Sequence, residues 1–187
     1  MVDFFSSFPG VIVFVVVMLI LGSAALAGFQ AAPWVPTRGR DVHRMLDLAE
    51  LRPDECMLDL GAGDGRFLLI AAQEYQARAI GYEYSIGPWV VAQARLLFAG
   101  LRSRAKLRFG DFTRVSWAEA DVITCFLTPK AMPKLESKFL RDAKPGARFV
   151  SYAFPFPKLQ PIRVSKPDPR LAAVYLYRAP GGNSWRT

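Results

Sequence analysis

Hydrophobic positions follow two regimes along the chain. From Asp3 to Arg38 no side chain is charged, and Val11 to Leu21 is an unbroken apolar run, continued by the small residues from Gly22 to Gly28. Pro9 to Phe29, at about 1.5 Å per residue, is long enough for a helix to cross a hydrocarbon core of roughly 30 Å and too long for a strand. The run therefore predicts a transmembrane anchor over residues 1–30. A cleaved signal peptide is the alternative, since Ala25-Leu26-Ala27 has the spacing of a cleavage site, but no Lys or Arg precedes the run. Arg38, Arg40 and Arg44 follow it and Asp3 precedes it. The positive-inside bias then predicts a single-pass membrane protein with the following domain on the cytoplasmic side. Phe4, Phe5, Phe8 and Trp34 suit aromatic belts at the two interfaces.

After Thr37 the pattern changes to helical periodicity alternating with short apolar strands, which predicts an α/β domain with a parallel sheet and helices on both faces. Helices are expected over Asp41–Leu51, Arg66–Gln76, Pro88–Leu101 and Pro133–Ala143. The last has Pro in its first turn and Lys144-Pro145-Gly146 as its stop. Strands are expected over Met57–Leu60, Ala79–Tyr84, Leu107–Phe109, Val122–Leu127 and Arg148–Ala153. Pro161–Val164 and Ala173–Tyr177 then form a terminal pair without a helix between them, which suggests an antiparallel edge. Residues 31–40 read as a linker and 41–187 as the domain.

Composition narrows the chemistry. A length of 187 residues supports one ordinary domain, so an enzyme with separate cofactor and substrate domains is disfavoured. With 52% hydrophobic residues the chain is not a disordered tail. Two Cys and the single His43 cannot build a thiolate or histidine metal site, so no metal is expected. Cys56 and Cys125, in or beside strands, are expected to be buried reduced thiols. A net charge of +8 coexists with a mean hydropathy of +0.17. All 24 Lys and Arg but only 15 of the 16 acids follow the apolar run, so the domain carries 24 − 15 = +9. That charge is expected to face a membrane surface.

The strongest chemical signal is Leu58-Asp59-Leu60-Gly61-Ala62-Gly63-Asp64-Gly65-Arg66, placed where a strand gives way to a helix. Glycines there permit a tight turn and close approach of a ligand to backbone N–H groups. Asp59 at the strand's end offers a carboxylate to an ammonium group. Glu83, about 20 residues on, ends the second strand where an acid binds ribose hydroxyls. Asp111 and Phe112 close the third strand with a carboxylate and a ring suited to a purine. A dinucleotide fingerprint G-x-G-x-x-G fails, because Arg66 stands where its third glycine would be. Bland readings exist for each residue: the glycines as a structural turn, Asp111 as a turn cap, Thr37 as a helix cap, His43 as a solvated surface group.

The spacing D-x-G-x-G-x-G, followed by Glu83 and then Gly110-Asp111, resembles the class I S-adenosylmethionine-dependent methyltransferases. That resemblance covers nearly everything after the anchor and implies a Rossmann-like open seven-stranded sheet with an antiparallel last strand. It also implies S-adenosyl-L-methionine as cofactor, with Asp59, Gly61, Gly63 and Gly65 holding the methionine portion, Glu83 the ribose, and Asp111 with Phe112 the adenine. Pro33-Trp34-Val35-Pro36-Thr37, Phe126-Leu127-Thr128-Pro129 and Ser151-Tyr152-Ala153-Phe154-Pro155, together with the N-terminal hydrophobic segment, resemble the small methyltransferases related to the mitochondrial enzymes that methylate lysines of the ATP synthase c subunit and the adenine nucleotide translocase. The resemblance implies that the 33–37 segment lies over the cofactor pocket, making Thr37 a cofactor contact.

In-line methyl transfer asks the protein for proximity, orientation and water exclusion rather than a nucleophile or a metal. A lysine acceptor must shed its proton, and Trp34, Phe126, Tyr152 and Phe154 are candidates to desolvate it, with Thr128 and Tyr152 as the candidate catalytic side chains. A tether favours a membrane-protein lysine or a lipid headgroup. An RNA acceptor is the rival suggested by the basic charge, although the Asn/Asp-Pro-Pro-aromatic motif is missing after the fourth strand. The non-enzymatic alternative is a membrane-anchored cofactor-binding scaffold.

Overall fold

The computed structural model describes residues 8–30 and 37–181, with the side chains of residues 8, 20 and 23–30 left undescribed. The apolar run forms helix α1 (Phe8–Gln30), which touches the domain's third helix. Among the described residues no helix is long and apolar enough to cross a membrane. The single-pass anchor, the bilayer as partner and the cytoplasmic placement of the domain are corrected accordingly. Asp3, Phe4, Phe5 and Trp34, which entered that expectation, lie outside the described residues.

The domain alternates as expected: α2 (Gly39–Leu48), β1 (Cys56–Leu60), α3 (Arg66–Gln73), β2 (Arg78–Glu83), α4 (Ile86–Phe98), β3 (Ala105–Phe109), β4 (Val122–Cys125), α5 (Met132–Asp142), β5 (Arg148–Tyr152), β6 (Arg163–Ser165) and β7 (Val174–Arg178). The strands form one sheet in the order β3-β2-β1-β4-β5-β7-β6. β1 to β5 pair in parallel, while β7 runs antiparallel to both β5 and β6. The reversed strand is thus the last in the chain, as expected, but lies one position in from the edge. One short element escapes the periodicity argument, a 3₁₀ turn over Phe112–Arg114.

Strand alternation builds a core on each face of the sheet. Met57, Ala79, Leu107, Val122, Val150 and Leu176 meet α2, α3 and α4 on one side. Leu58, Leu60, Ile123, Phe149 and Tyr177 meet α5, Trp117 and Phe156 on the other. Cys56 and Cys125 are free buried thiols, and burial pushes Cys125 up to about 12. With both faces covered, backbone can meet a ligand only at the strand ends, and the carboxyl ends of β1, β2, β3, β4 and β5 share one edge.

Candidate functional site

The crevice begins at the end of β1. Asp59 is buried, pairs in register with Gly81 on one side and Thr124 on the other, and accepts a 2.8 Å hydrogen bond from the Thr124 hydroxyl on its Oδ1. Its Oδ2 is buried and has no partner. Burial pushes this carboxyl up to about 7; the Thr124 hydroxyl opposes the shift, and the charges of Glu83 and Asp64 add to it. An unpaired carboxylate oxygen in such a place costs free energy until a donor, best a cationic one, meets it.

The glycine loop follows at once. Gly61, Gly63 and Gly65 all have positive φ, at 81°, 54° and 77°. Gly65 caps α3, and a Cβ there would lie 2.9 Å from the Ala92 Cβ of α4, so a side chain meets both a left-handed backbone and a packed helix. Gly65→Ala is therefore expected to lower the melting temperature by at least about 5 °C and to weaken cofactor binding in the same sample, from a left-handed cost of roughly 1–2 kcal/mol plus overpacking. Thermal unfolding and calorimetry check the two effects. Gly81, which sequence reasoning passed over, forms the floor: its Cβ would sit 2.7 Å from Ala62 and 2.8 Å from Leu68.

Glu83 is buried at the end of β2 and ties the loop to its own strand. Its Oε2 accepts from Gly63 N at 2.8 Å, and its Oε1 accepts from Tyr84 N at 2.9 Å and Ser85 N at 2.7 Å. Next to it the Tyr84 ring stacks on Phe109 at 5.7 Å, and the Trp89 ring meets Phe109 edge-on at 5.9 Å. Asp111, after β3, accepts from Thr113 N at 2.8 Å and caps its own 3₁₀ turn, with Arg114 3.5 Å away. Phe112 is half-buried, and its carbonyl accepts from the Trp117 indole at 3.1 Å.

The side chains beside the loop were not legible as site residues. Asp64 is buried and forms ion pairs with Arg66 at 2.6 Å and Arg95 at 2.5 Å. Burial would raise its carboxyl, but the Arg66 hydrogen bond and the charges of both arginines hold it below the usual carboxylate range. Arg66 also donates to the carbonyl of buried Thr37. The rest of the predicted cover segment, 33–36, lies outside the described residues.

At the ends of β4 and β5 the Phe126 ring meets Tyr152 edge-on at 4.8 Å. The Tyr152 hydroxyl lies 3.3 Å from Oδ2 of buried Asp41, and the Arg44 guanidinium lies 5.7 Å from the ring centroid. Burial, then the Asp41 charge, raise the phenol's pKa, so it stays a neutral hydroxyl at pH 7. Thr128 is half-buried in the turn after β4, its carbonyl accepting from Ala131 N at 3.0 Å. His43 lies away from the crevice: its ring nitrogens sit 2.8 Å from Glu74 and from the Gly39 carbonyl, and the Glu74 hydrogen bond raises its pKa. Among the described residues no cluster of three His, Cys, Asp or Glu side chains forms a metal site.

The orphaned Asp59 oxygen, the left-handed glycines and the acid at the end of β2 fit a cofactor with an ammonium group and a ribose. The family model of the ANTKMT methyltransferase domain matches residues 59–163. The chain is 35% identical over 148 residues to a protein-lysine N-methyltransferase of Saccharolobus islandicus strain REY15A, covering 78% of this chain and 92% of that one. It is 38% identical over 134 residues to the adenine nucleotide translocase lysine N-methyltransferase of Mus musculus, covering 71% of this chain and 57% of the relative, so it spans little more than half of that protein. Among solved structures, an RNA methyltransferase from Salinibacter ruber in complex with S-adenosyl-L-homocysteine superposes with a TM-score of 0.75 at 32% identity, covering 78% of this chain and 94% of that one.

Proposed function

This chain belongs to the ANTKMT methyltransferase domain family and is an S-adenosylmethionine-dependent methyltransferase, and from that premise we propose that its acceptor is the side-chain amine of a protein lysine. The observation that carries this reading is the 35% identity to a protein-lysine N-methyltransferase across 92% of that relative's length. The aromatic pair at the mouth of the crevice supports it.

Asp59 would hold the cofactor's ammonium, Glu83 its ribose, the glycine loop the methionine backbone, and Asp111 with Phe112 the adenine end, with Thr37 closing over them. Bound there, the cofactor supplies the methyl group and leaves as S-adenosylhomocysteine. The protein's own task is the acceptor. A lysine with a reference pKa near 10.4 is neutral in only about one copy in a few thousand at pH 7. Phe126 and Tyr152 lower that barrier by excluding water from the ammonium, which disfavours its charged form. The amine gives its proton to bulk water as it enters, and the Tyr152 and Thr128 hydroxyls orient the neutral nitrogen. The acceptor protein of the finer reading is one held in a membrane, which the translocase named for the mouse relative supports.

The test is transfer of labelled methyl from S-adenosylmethionine into cell extract, followed by separation of protein, lipid and RNA. Label recovered as methyl-lysine after hydrolysis is expected. Label confined to RNA, the acceptor class of the Salinibacter ruber protein, or to lipid would sink the lysine reading, and no label at all would favour a scaffold. Tyr152→Ala is expected to lower kcat by about ten- to a hundredfold, an orientation-scale effect, while S-adenosylhomocysteine affinity stays within about twofold; steady-state kinetics and calorimetry separate the two.

A further inference from the structure

The position that breaks the dinucleotide fingerprint joins the loop to a separate segment of the chain. Arg66 is the first residue of α3, and its side chain is 28% exposed. Two of its nitrogens bond Asp64, Nε at 3.0 Å and Nη2 at 2.6 Å, and the third, Nη1, donates to the Thr37 carbonyl. Asp64 is in turn held by Arg95 of α4. A planar fork with its donors fixed in direction can grip a carboxylate on one edge and a carbonyl on the other; a lysine ammonium cannot span both. Thr37 precedes Arg38, the N-cap of α2, whose carbonyl accepts from Asp41 N and Val42 N in the helix's first turn. Whatever fixes Thr37 therefore fixes where the chain enters α2, and with it Asp41 beside Tyr152.

We propose that Arg66 is a positioning residue that clasps the Thr37 segment to the glycine loop, so that the wall over the methionine end of the cofactor and the aromatic mouth of the acceptor site are set by one side chain. This rests on the cofactor lying against Asp59. Gly65 has taken the close-packing duty of a fingerprint's third glycine, which leaves the next position free for a side chain that bridges. Asp64 cancels the charge Arg66 would otherwise present to the loop, so the clasp creates no phosphate site at this helix N-terminus.

The test uses the full chain and S-adenosylhomocysteine as probe. Arg66→Met is expected to weaken binding about tenfold and to remove ligand-induced protection from hydrogen exchange over residues 37–42 while keeping it over 61–68. Arg66→Lys, which restores the charge beside Asp64 but not the second grip, is expected to stay within about threefold of Arg66→Met. Arg95→Met removes an ion pair from the same carboxylate without touching Thr37, and is expected to shift affinity by less than about threefold. Wild-type affinity in Arg66→Lys, or equal losses in Arg66→Met and Arg95→Met, overturns the clasp. Asp59→Asn separates the two assignments: if it binds the probe as wild type does, the cofactor placement falls and the clasp with it, whereas a loss there beside wild-type affinity in Arg66→Met overturns the clasp alone.

Discussion

Replacing Asp59 with Asn is expected to weaken S-adenosylmethionine binding by about a hundredfold or more and, at pH 8, to raise the melting temperature of the ligand-free protein. Both follow from the same atom. Oδ2 is buried without a partner while Oδ1 keeps its Thr124 hydrogen bond, so the ionised carboxylate is held in a place that suits it only when a cation arrives. Losing one partner of a buried, hydrogen-bonded charge pair costs about 2–5 kcal/mol, and each 1.4 kcal/mol is tenfold. The stability effect has the opposite sign. The folded-state value of about 7 stands above the ordinary aspartate value of 3.8. Below pH 4 the group is protonated in both states and imposes no penalty; above pH 7 it is ionised in both and the whole penalty acts. Ligand-free wild type therefore loses stability from this group as pH rises from about 4 to 7, on the order of 4 kcal/mol, and Asp59→Asn does not. Part of that gain is cancelled by the buried amide, leaving a rise of several degrees that vanishes toward pH 4. Binding of the cofactor's ammonium needs the ionised form, so wild-type affinity is expected to increase between pH 6 and 8 with proton release, measurable by calorimetry in buffers of different ionisation enthalpy. A pH-independent affinity, or a lower melting temperature for Asp59→Asn at pH 8, would contradict this account.

The elements were legible because the physics that makes them is local. Short, nearly continuous apolar runs in Met57–Leu60 and Val122–Leu127, and helical spacing through Val42, Met45, Leu46 and Ala49, register in sequence whatever surrounds them. Ends moved by two or three residues where turns finish them, as at α4, which begins at Ile86 rather than Pro88. The apolar run also gave a helix, but apolarity alone does not state what a helix packs on, and the bilayer drawn from it did not survive the described residues. Within the crevice, Asp59 and Glu83 could be placed because strand ends fix them. Thr124 could not, since nothing in a strand's sequence tells which partner its hydroxyl meets across the sheet. Asp64 meets Arg95, and Asp41 meets Tyr152, only through the tertiary fold. The one signal for Arg66 was negative, a glycine missing from a fingerprint. Asp111 shows the converse: its residue type allowed a ligand contact or a turn cap, and its Oδ1 accepts from Thr113 N, a cap that leaves the ligand reading open to test.

Glu83→Gln is expected to abolish cofactor binding as well, but with a loss of stability. Here the carboxylate is already satisfied before any ligand arrives. Both its oxygens accept from backbone N–H groups, Gly63 on one and Tyr84 with Ser85 on the other. A glutamine has one acceptor oxygen and one NH₂, so either the Gly63 amide or the Tyr84 and Ser85 amides must face a donor. Leaving a buried amide unpaired costs about 1–3 kcal/mol, and trading charge-assisted bonds for neutral ones adds to it. At about 2–4 °C per kcal/mol for a chain of this size, the melting temperature is expected to fall by roughly 5–10 °C. The loop is released at Gly63, so on the proposed placement of the cofactor binding would fail through loop geometry as well as through a lost ribose contact. The two acids, 24 residues apart and both buried, thus do opposite things to the ligand-free protein: Asp59 is held at the expense of the fold for the ligand's sake, while Glu83 holds the fold in the shape the ligand needs. Paired melting curves of Asp59→Asn and Glu83→Gln at pH 8, one shifted up and the other down, check that division, and two shifts of the same sign would refute it.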